Sequence, residues 1–360
     1  MENRTPSRLG LIAMLAAGLS ACGDTPAEPD QQVASVNAEA AAARAPNSLD
    51  DRLRALNDQL AALGKPYRVS ELAMYTIGLG RSPVRILQGG TRWVPGDTRR
   101  VWNTATNPED VTYMFDASDN TTDGLSVAAS QAAIDAAFQS WSDVPHSYLD
   151  FEQVTDGGGN YDIFDAVPSD PFNQCDGSNL LPIIDFGATG PYADVIVGGW
   201  LPREYFDCLN PDPAEPGGEL IIGVTWTFTF LDGQGNPVDA NNDGYFDTQF
   251  KEVYFNDFWQ WVDQGALFLD PNFLRVDLQS IAVHEFGHVA ELGHMGDIIA
   301  GISNTRSFRA FSGFLNRGKI FSPIAVMNPG YLGGEFRDLR PIDEAGYSTL
   351  FADGVGRRGR

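Results

Sequence analysis

Three of the chain's four histidines fall in the eleven-residue string HEFGHVAELGH, His284 to His294. His284 and His288 stand four apart, so on a helix both imidazoles leave the same face and can share one metal ion. Glu285 follows the first histidine directly, which sets its carboxylate beside such a metal rather than on it. There it can take a proton from water that the metal activates. His294 lies six residues past His288, too far round for a continued helix, so the chain has to break after about Ala290, and Gly293 offers one place to turn. Three nitrogen ligands with a fourth position open to water make the pattern of a catalytic zinc site, whereas a structural site closes the shell with four protein ligands. The plain alternative is three histidines in register by chance.

These side chains need elements to hold them. Asp277 can cap a helix that carries His284 and His288, after a loop over residues 263 to 276. Val111 to Phe115 reads as a strand, Ser126 to Trp141 as a helix with Val127, Ile134, Phe138 and Trp141 apolar, and Tyr148 to Val154 as a second strand. In Leu220 to Phe230, Val224, Trp226, Phe228 and Phe230 alternate with threonines, the pattern of a half-buried strand. Lys251 to Phe255 gives another strand. Ile342 to Phe351 reads as a closing helix, with Asp343 and Glu344 favourable at its N-terminus.

With Met327 in IAVMNP, 33 residues after His294, the histidine string resembles the zinc-binding consensus and Met-turn of the metzincin metallopeptidases, nearest to the matrixin branch. The runs VTYMF, AIDAAFQSWSDV, LDFEQV and ADVIV (Ala193 to Val197) resemble the opening elements of a matrixin catalytic domain. The resemblance implies His284, His288 and His294 as zinc ligands, Glu285 as general base and Met327 as a hydrophobic floor. It implies an α+β fold with a twisted mixed five-stranded sheet, an active-site helix and a small C-terminal subdomain. The implied activity is hydrolysis of protein or peptide substrates by a zinc-dependent endopeptidase. Leu220 to Phe230 corresponds to the edge strand whose free backbone pairs with an extended substrate.

One departure matters: the consensus HExxHxxGxxH has glycine where this chain has Glu291. A non-glycine residue in a left-handed conformation costs about 1 kcal/mol or more, so the turn is either strained there or shifted to Gly293. Tyr331, four past Met327, does not match the spacing of the metal-reaching tyrosine in some branches. His146 alone cannot make the second, structural zinc site of matrixins, and no cysteine lies in a sequence like their pro-segment switch.

Asp239, Asn241 and Asp243 offer oxygens at alternate positions before Gly244, with Asp247 in the ninth place, like the first half of an EF-hand loop. Phe250 stands where the bidentate glutamate belongs. The loop reads as a calcium site or as a solvated acidic turn, and Asp156 to Asp170 is a weaker calcium candidate. At the N-terminus Arg4 and Arg8 precede an apolar run from Leu9 to Leu19, too short for a stable membrane span and right for a signal peptide. It ends in Leu19-Ser20-Ala21-Cys22, which resembles the bacterial lipobox. That implies an exported lipoprotein anchored by lipid on Cys22 and facing the periplasm or cell exterior. An ordinary signal cleaved near Ala21 is the alternative.

Cys175 and Cys208 then remain, as one disulfide or two free thiols. Residues 1–21 read as signal peptide, 22–47 as flexible tether, 48–98 as an N-terminal helical, pro-segment-like region, 99–354 as the catalytic domain and 355–360 as a basic tail. Leu49, Leu53, Leu56, Leu60 and Leu63 mark an amphipathic helix between Ser48 and Gly64, lying over the active site or packed on its own domain. The formal charge of -24 argues against nucleic acid or anionic lipid surfaces as partners. The rival functional reading is a non-catalytic, zinc-containing surface lipoprotein that binds protein or glycan.

Overall fold

The leucine stripe near residue 56 and the alternating strand near residue 225 pack against each other, and that contact sets the architecture. The computed structural model describes residues 49–77, 84–86, 90–117, 124–155, 193–210, 216–263, 275–295, 297–299, 320–322, 324–331 and 336–351. Along the chain they form α1 (Leu49–Ala62), β1 (Tyr67–Thr76), β2 (Val84–Ile86), β3 (Thr91–Arg92), β4 (Val111–Phe115), α2 (Val127–Ser142), β5 (Phe151–Gln153), β6 (Val195–Leu201) and α3 (Arg203–Leu209). Then follow α4 (Gly217–Leu220), β7 (Ile221–Phe230), β8 (Phe246–Asn256), β9 (Gln260–Val262), β10 (Arg275–Asp277), α5 (Leu278–Val289), β11 (Asp297–Ile299), β12 (Ile320–Ser322) and α6 (Pro341–Leu350). Ala45–Arg360 make one compact unit.

The main sheet is mixed and has eight strands in the order β2-β1-β7-β8-β6-β4-β5, with β3 pairing on β8. β5, β4, β6 and β8 run parallel, and β7 runs antiparallel to both β8 and β1. The α+β class holds, but five strands was too few. The three extra strands come from residues 67–92, where short apolar runs broken by Gly, Pro and Arg carry no clean period. The boundary at residue 98 is therefore not a structural one, because β1 to β3 belong to the same sheet as β4 to β8.

Strand β7 carries the larger correction. It is not an edge, since β1 pairs along it from Tyr67↔Phe230 to Thr76↔Ile221. Nor is it half-buried, because all ten of its residues are enclosed. Val224, Trp226 and Phe228 form a core with Leu53, Leu56 and Leu60 of α1 and Phe206 of α3. The threonines point the other way, towards α5, where Thr225 finds hydrogen-bond partners. A pattern of alternation signals two chemically different faces, and here both are covered.

Helix α1 packs on its own domain. Asn57 binds β1 in both directions, donating to Val69 O at 2.9 Å and accepting from Val69 N at 2.8 Å. Gly64, at φ +68°, ends the helix. On the opposite face α2 starts at the Ser126 cap and buries Ile134, Phe138 and Trp141 against α5, with Phe138 and Phe286 stacked at 3.7 Å. Trp141 Nε1 donates to Val283 O at 2.9 Å. Among the described residues no helix is long and apolar enough to cross a membrane. Residues 1–47, with Cys22, and the basic tail lie outside the described residues.

Candidate metal centre

Helix α5 begins where Asp277 accepts from Ser280 N at 3.0 Å, as the sequence suggests, and the same carboxylate pairs with Arg337. It ends in a Schellman turn, with Leu292 N bound to Gly287 O at 2.9 Å and Glu291 N to His288 O at 3.0 Å. Glu291 is the left-handed residue of that turn, at φ +65°. The turn therefore keeps the place where glycine is usual, and Gly293 is not the break.

The glutamate is held in place by its side chain. Its carboxylate accepts from Lys251 Nζ at 2.7 Å, Thr248 Oγ1 at 2.7 Å and Thr91 Oγ1 at 3.0 Å. Lys251 Nζ also donates to His288 O at 2.7 Å, and both charged side chains are almost wholly buried. Glu71 on β1 feels both charges, and burial pushes its carboxyl up to about 7.

The turn delivers His294 to the helix pair. Its Nε2 lies 3.2 Å from His284 Nε2 and 3.1 Å from His288 Nε2. Each helix imidazole is fixed from behind: His284 Nδ1 donates to Val326 O and His288 Nδ1 to Leu292 O, both at 2.8 Å. With the proton on Nδ1, the Nε2 lone pairs face one another. Burial, with His294 nearby, also holds both rings well below the usual histidine pKa, and so neutral. The two helix lone pairs converge with His294 Nε2 on one point, a set of three nitrogens close enough to share a cation. Tetrahedral zinc with Zn–N bonds of about 2.05 Å would put its nitrogens about 3.3 Å apart, close to the separations seen. The three histidines can hold a metal ion.

Glu285 is fully buried next in the chain. Its Oε2 accepts from Thr225 Oγ1 at 2.6 Å, while Oε1 has no hydrogen-bond partner among the described residues. A Cβ on Gly223 would come within 2.8 Å of Oε1, so the glycine leaves that oxygen its space. Burial pushes the carboxyl up to about 8, opposed by the Thr225 hydrogen bond. A carboxyl with one oxygen anchored and the other unpaired is suited to receive and return a proton.

Met327 is fully buried beneath the helix. Its turn hangs on Asp343 of α6, whose carboxylate accepts from Val326 N at 2.9 Å and Met327 N at 3.1 Å. Met327 also fixes the identity of Gly287: a Cβ there would overlap Met327 Sδ and lie 2.9 Å from Trp141. Gly287→Ala should cost about 1–3 kcal/mol by overpacking, against the few tenths to 1 kcal/mol gain of alanine in a free helix. Thermal unfolding of the two chains checks this, and an unchanged or raised midpoint would contradict the packing.

The end of β1 packs against the histidines. The Tyr75 ring stacks on His284 with centroids 3.5 Å apart and planes within 7°. The next residues bind both walls: Ile77 N donates to Leu220 O at 2.7 Å, and Thr76 O accepts from Tyr331 N at 2.8 Å. Ile77 and Tyr331 form a parallel bridge. The Tyr331 ring packs edge-on to Tyr75, with centroids 6.1 Å apart.

Asp239, Asn241 and Asp243 share one turn, with Asn242 at φ +57° and Gly244 at φ +89°. Their oxygens accept from the turn's own Asp243, Gly244 and Tyr245 N–H groups. Asp247 lies buried below, paired with Arg99 and accepting from Ala240 N at 3.1 Å. The three histidines alone, among the described residues, group His, Cys, Asp or Glu side chains closely enough to share an ion. A solvated acidic turn accounts for these contacts. Cys208 is disulfide-bonded; Cys175, its expected partner, and Asp156 to Asp170 lie outside the described residues. His146 is exposed. The residues that sequence reasoning missed are Thr225, Lys251 and Tyr75, together with the role of Asp343 at the Met-turn. No protein-family model matches the chain, and no curated protein matches it.

Proposed function

We propose that the chain is a zinc-dependent endopeptidase of the metzincin type, nearest to the matrixins, exported and tethered by lipid on Cys22. The observation that carries this reading is Glu285, anchored through one oxygen by Thr225 and unpaired at the other among the described residues, next to the three convergent histidines. A metal site with no chemistry to perform has no need of a buried, unpaired carboxylate oxygen, which costs roughly 1–3 kcal/mol. The mixed α+β architecture and the Met327 turn below α5 are compatible with this reading.

His284, His288 and His294 would hold the zinc, which when bound supplies Lewis acidity and lowers the pKa of water. Glu285 Oε1 takes the proton of the attacking water and returns it to the leaving amine, while Thr225 keeps Oε2 fixed. The Nδ1 contacts to Val326 and Leu292 keep the rings in the tautomer that binds metal. An extended peptide would pair with β7 next to Gly223, on the path that Tyr75, Thr76 and Ile77 occupy.

That occupation is the one observation favouring a non-catalytic protein that binds protein or glycan. The deciding experiment measures zinc per chain and cleavage of an unfolded protein substrate, with β1 both intact and loosened as described below. Glu285→Gln should retain one zinc and lose hydrolysis by about 100-fold or more. Hydrolysis that survives the substitution would remove Glu285 from its role, and zinc without cleavage in any form would favour the binding protein. A zinc hydrolase acting on non-peptide amides would cut small amides and spare peptides.

A further inference from the structure

We infer that the buried Lys251–Glu291 pair is a positioning device for the metal site, doing through side chains what a glycine at residue 291 would do through backbone freedom alone. The inference rests on the reading of the three histidines as metal ligands, and it is independent of hydrolysis.

The left-handed residue of a Schellman turn decides how the chain leaves the helix, and hence where the third histidine arrives. A glycine there is unstrained, and its exit direction is set by whatever follows. Glu291 is strained at φ +65°, and the strain is sustained by three hydrogen bonds to its carboxylate from β3 and β8: Thr91, Thr248 and Lys251. Lys251 adds a second constraint by donating to His288 O, the same carbonyl that accepts Glu291 N in the Schellman turn. One ammonium thus spans the residue bearing the second ligand and the residue that turns the chain towards the third. Leu292, directly after Glu291, accepts from His288 Nδ1, so the turn and the second imidazole are tied twice. Trp93 Nε1 donates to Val289 O at 2.8 Å and closes the same helix end against the loop after β3. The sheet therefore grips the turn instead of leaving it free, and His294 depends on that grip for its place.

The consensus glycine should accordingly weaken the site, although it removes the strain. The test is metal affinity by competition with a chromophoric chelator, together with the absorption spectrum of the cobalt(II)-substituted protein, on the full mature chain. Glu291→Gly and Lys251→Met should each lower zinc affinity about 10- to 100-fold, as loss of the groups that orient ligands does. They should also change the ligand-field bands of bound cobalt. Glu291→Gln keeps the side chain's shape and its contacts to the threonines, so it should fall between parent and glycine. It carries the test if the glycine variant does not fold. Variants that bind zinc as tightly as the parent, with the parent's cobalt spectrum, overturn the proposal and leave the pair a purely structural one. A parent chain that takes up no zinc or cobalt overturns the metal reading, and this inference with it.

Discussion

Loosening the end of β1 should raise peptide hydrolysis about 100-fold. Beyond its ladder to β7, the end of β1 is held over the histidines by two main-chain hydrogen bonds, Ile77 N to Leu220 O and Tyr331 N to Thr76 O, and by the buried Tyr75 ring on His284. At about 1 kcal/mol for each bond and about 2 kcal/mol for the ring, a competing peptide faces a barrier of about 4 kcal/mol. At 1.36 kcal/mol per decade, that is about three decades in rate. Tyr75→Gly with Ile77→Pro removes the ring and one N–H donor, about 3 kcal/mol of that barrier, or about two decades in rate. Val69, Leu72 and Met74, which anchor β1 in the core with α1, stay untouched. Adding Glu285→Gln to that background should abolish the gain, which separates real turnover from a contaminant. An unchanged rate at full zinc loading would mean that peptides reach the metal without displacing β1. A lower rate would make Tyr75 part of the working site.

How much of this the sequence carried depends on distance along the chain. His284, Glu285 and His288 were legible because helical geometry relates neighbours four apart, and Asp277 because a cap needs only the next three residues. The leucine stripe of α1 was legible for the same reason. β1 was not, because its partner lies about 150 residues away and Tyr67 to Thr76 is enclosed on nearly every side, so no alternation appears. Without β1, β7 looked like an edge. Glu291 could be recognised as a departure, but its compensation could not: Lys251, Thr248 and Thr91 lie 40, 43 and 200 residues away. A residue that breaks a local rule points to a non-local partner without naming it.

Asp343 is the sharpest case, and Asp343→Ala should be the most destabilising single substitution near the site, at about 3–5 kcal/mol. In sequence it is an acid in the first turn of a helix, a place worth about 0.3–1 kcal/mol when exposed. In the fold it is fully buried, and its two oxygens accept from Val326 N, Met327 N and Arg340 N. Alanine would leave three N–H groups without their charged acceptor, and the two from the Met-turn sit in a dry core. Each such loss costs about 1–3 kcal/mol, well above the dipole effect. The damage should reach the metal, because Val326 is both a donor to Asp343 and, through its carbonyl, the group that fixes the tautomer of His284. Zinc affinity should therefore fall about 10- to 100-fold along with the stability. Asp343→Asn keeps one acceptor oxygen and should lose less of both. The check is chemical unfolding of zinc-loaded and chelated protein for the three chains. If Asp343→Ala lowers the stability of both forms equally, the Met-turn does not transmit to the metal site, and Asp343 serves only to join α6 to the core.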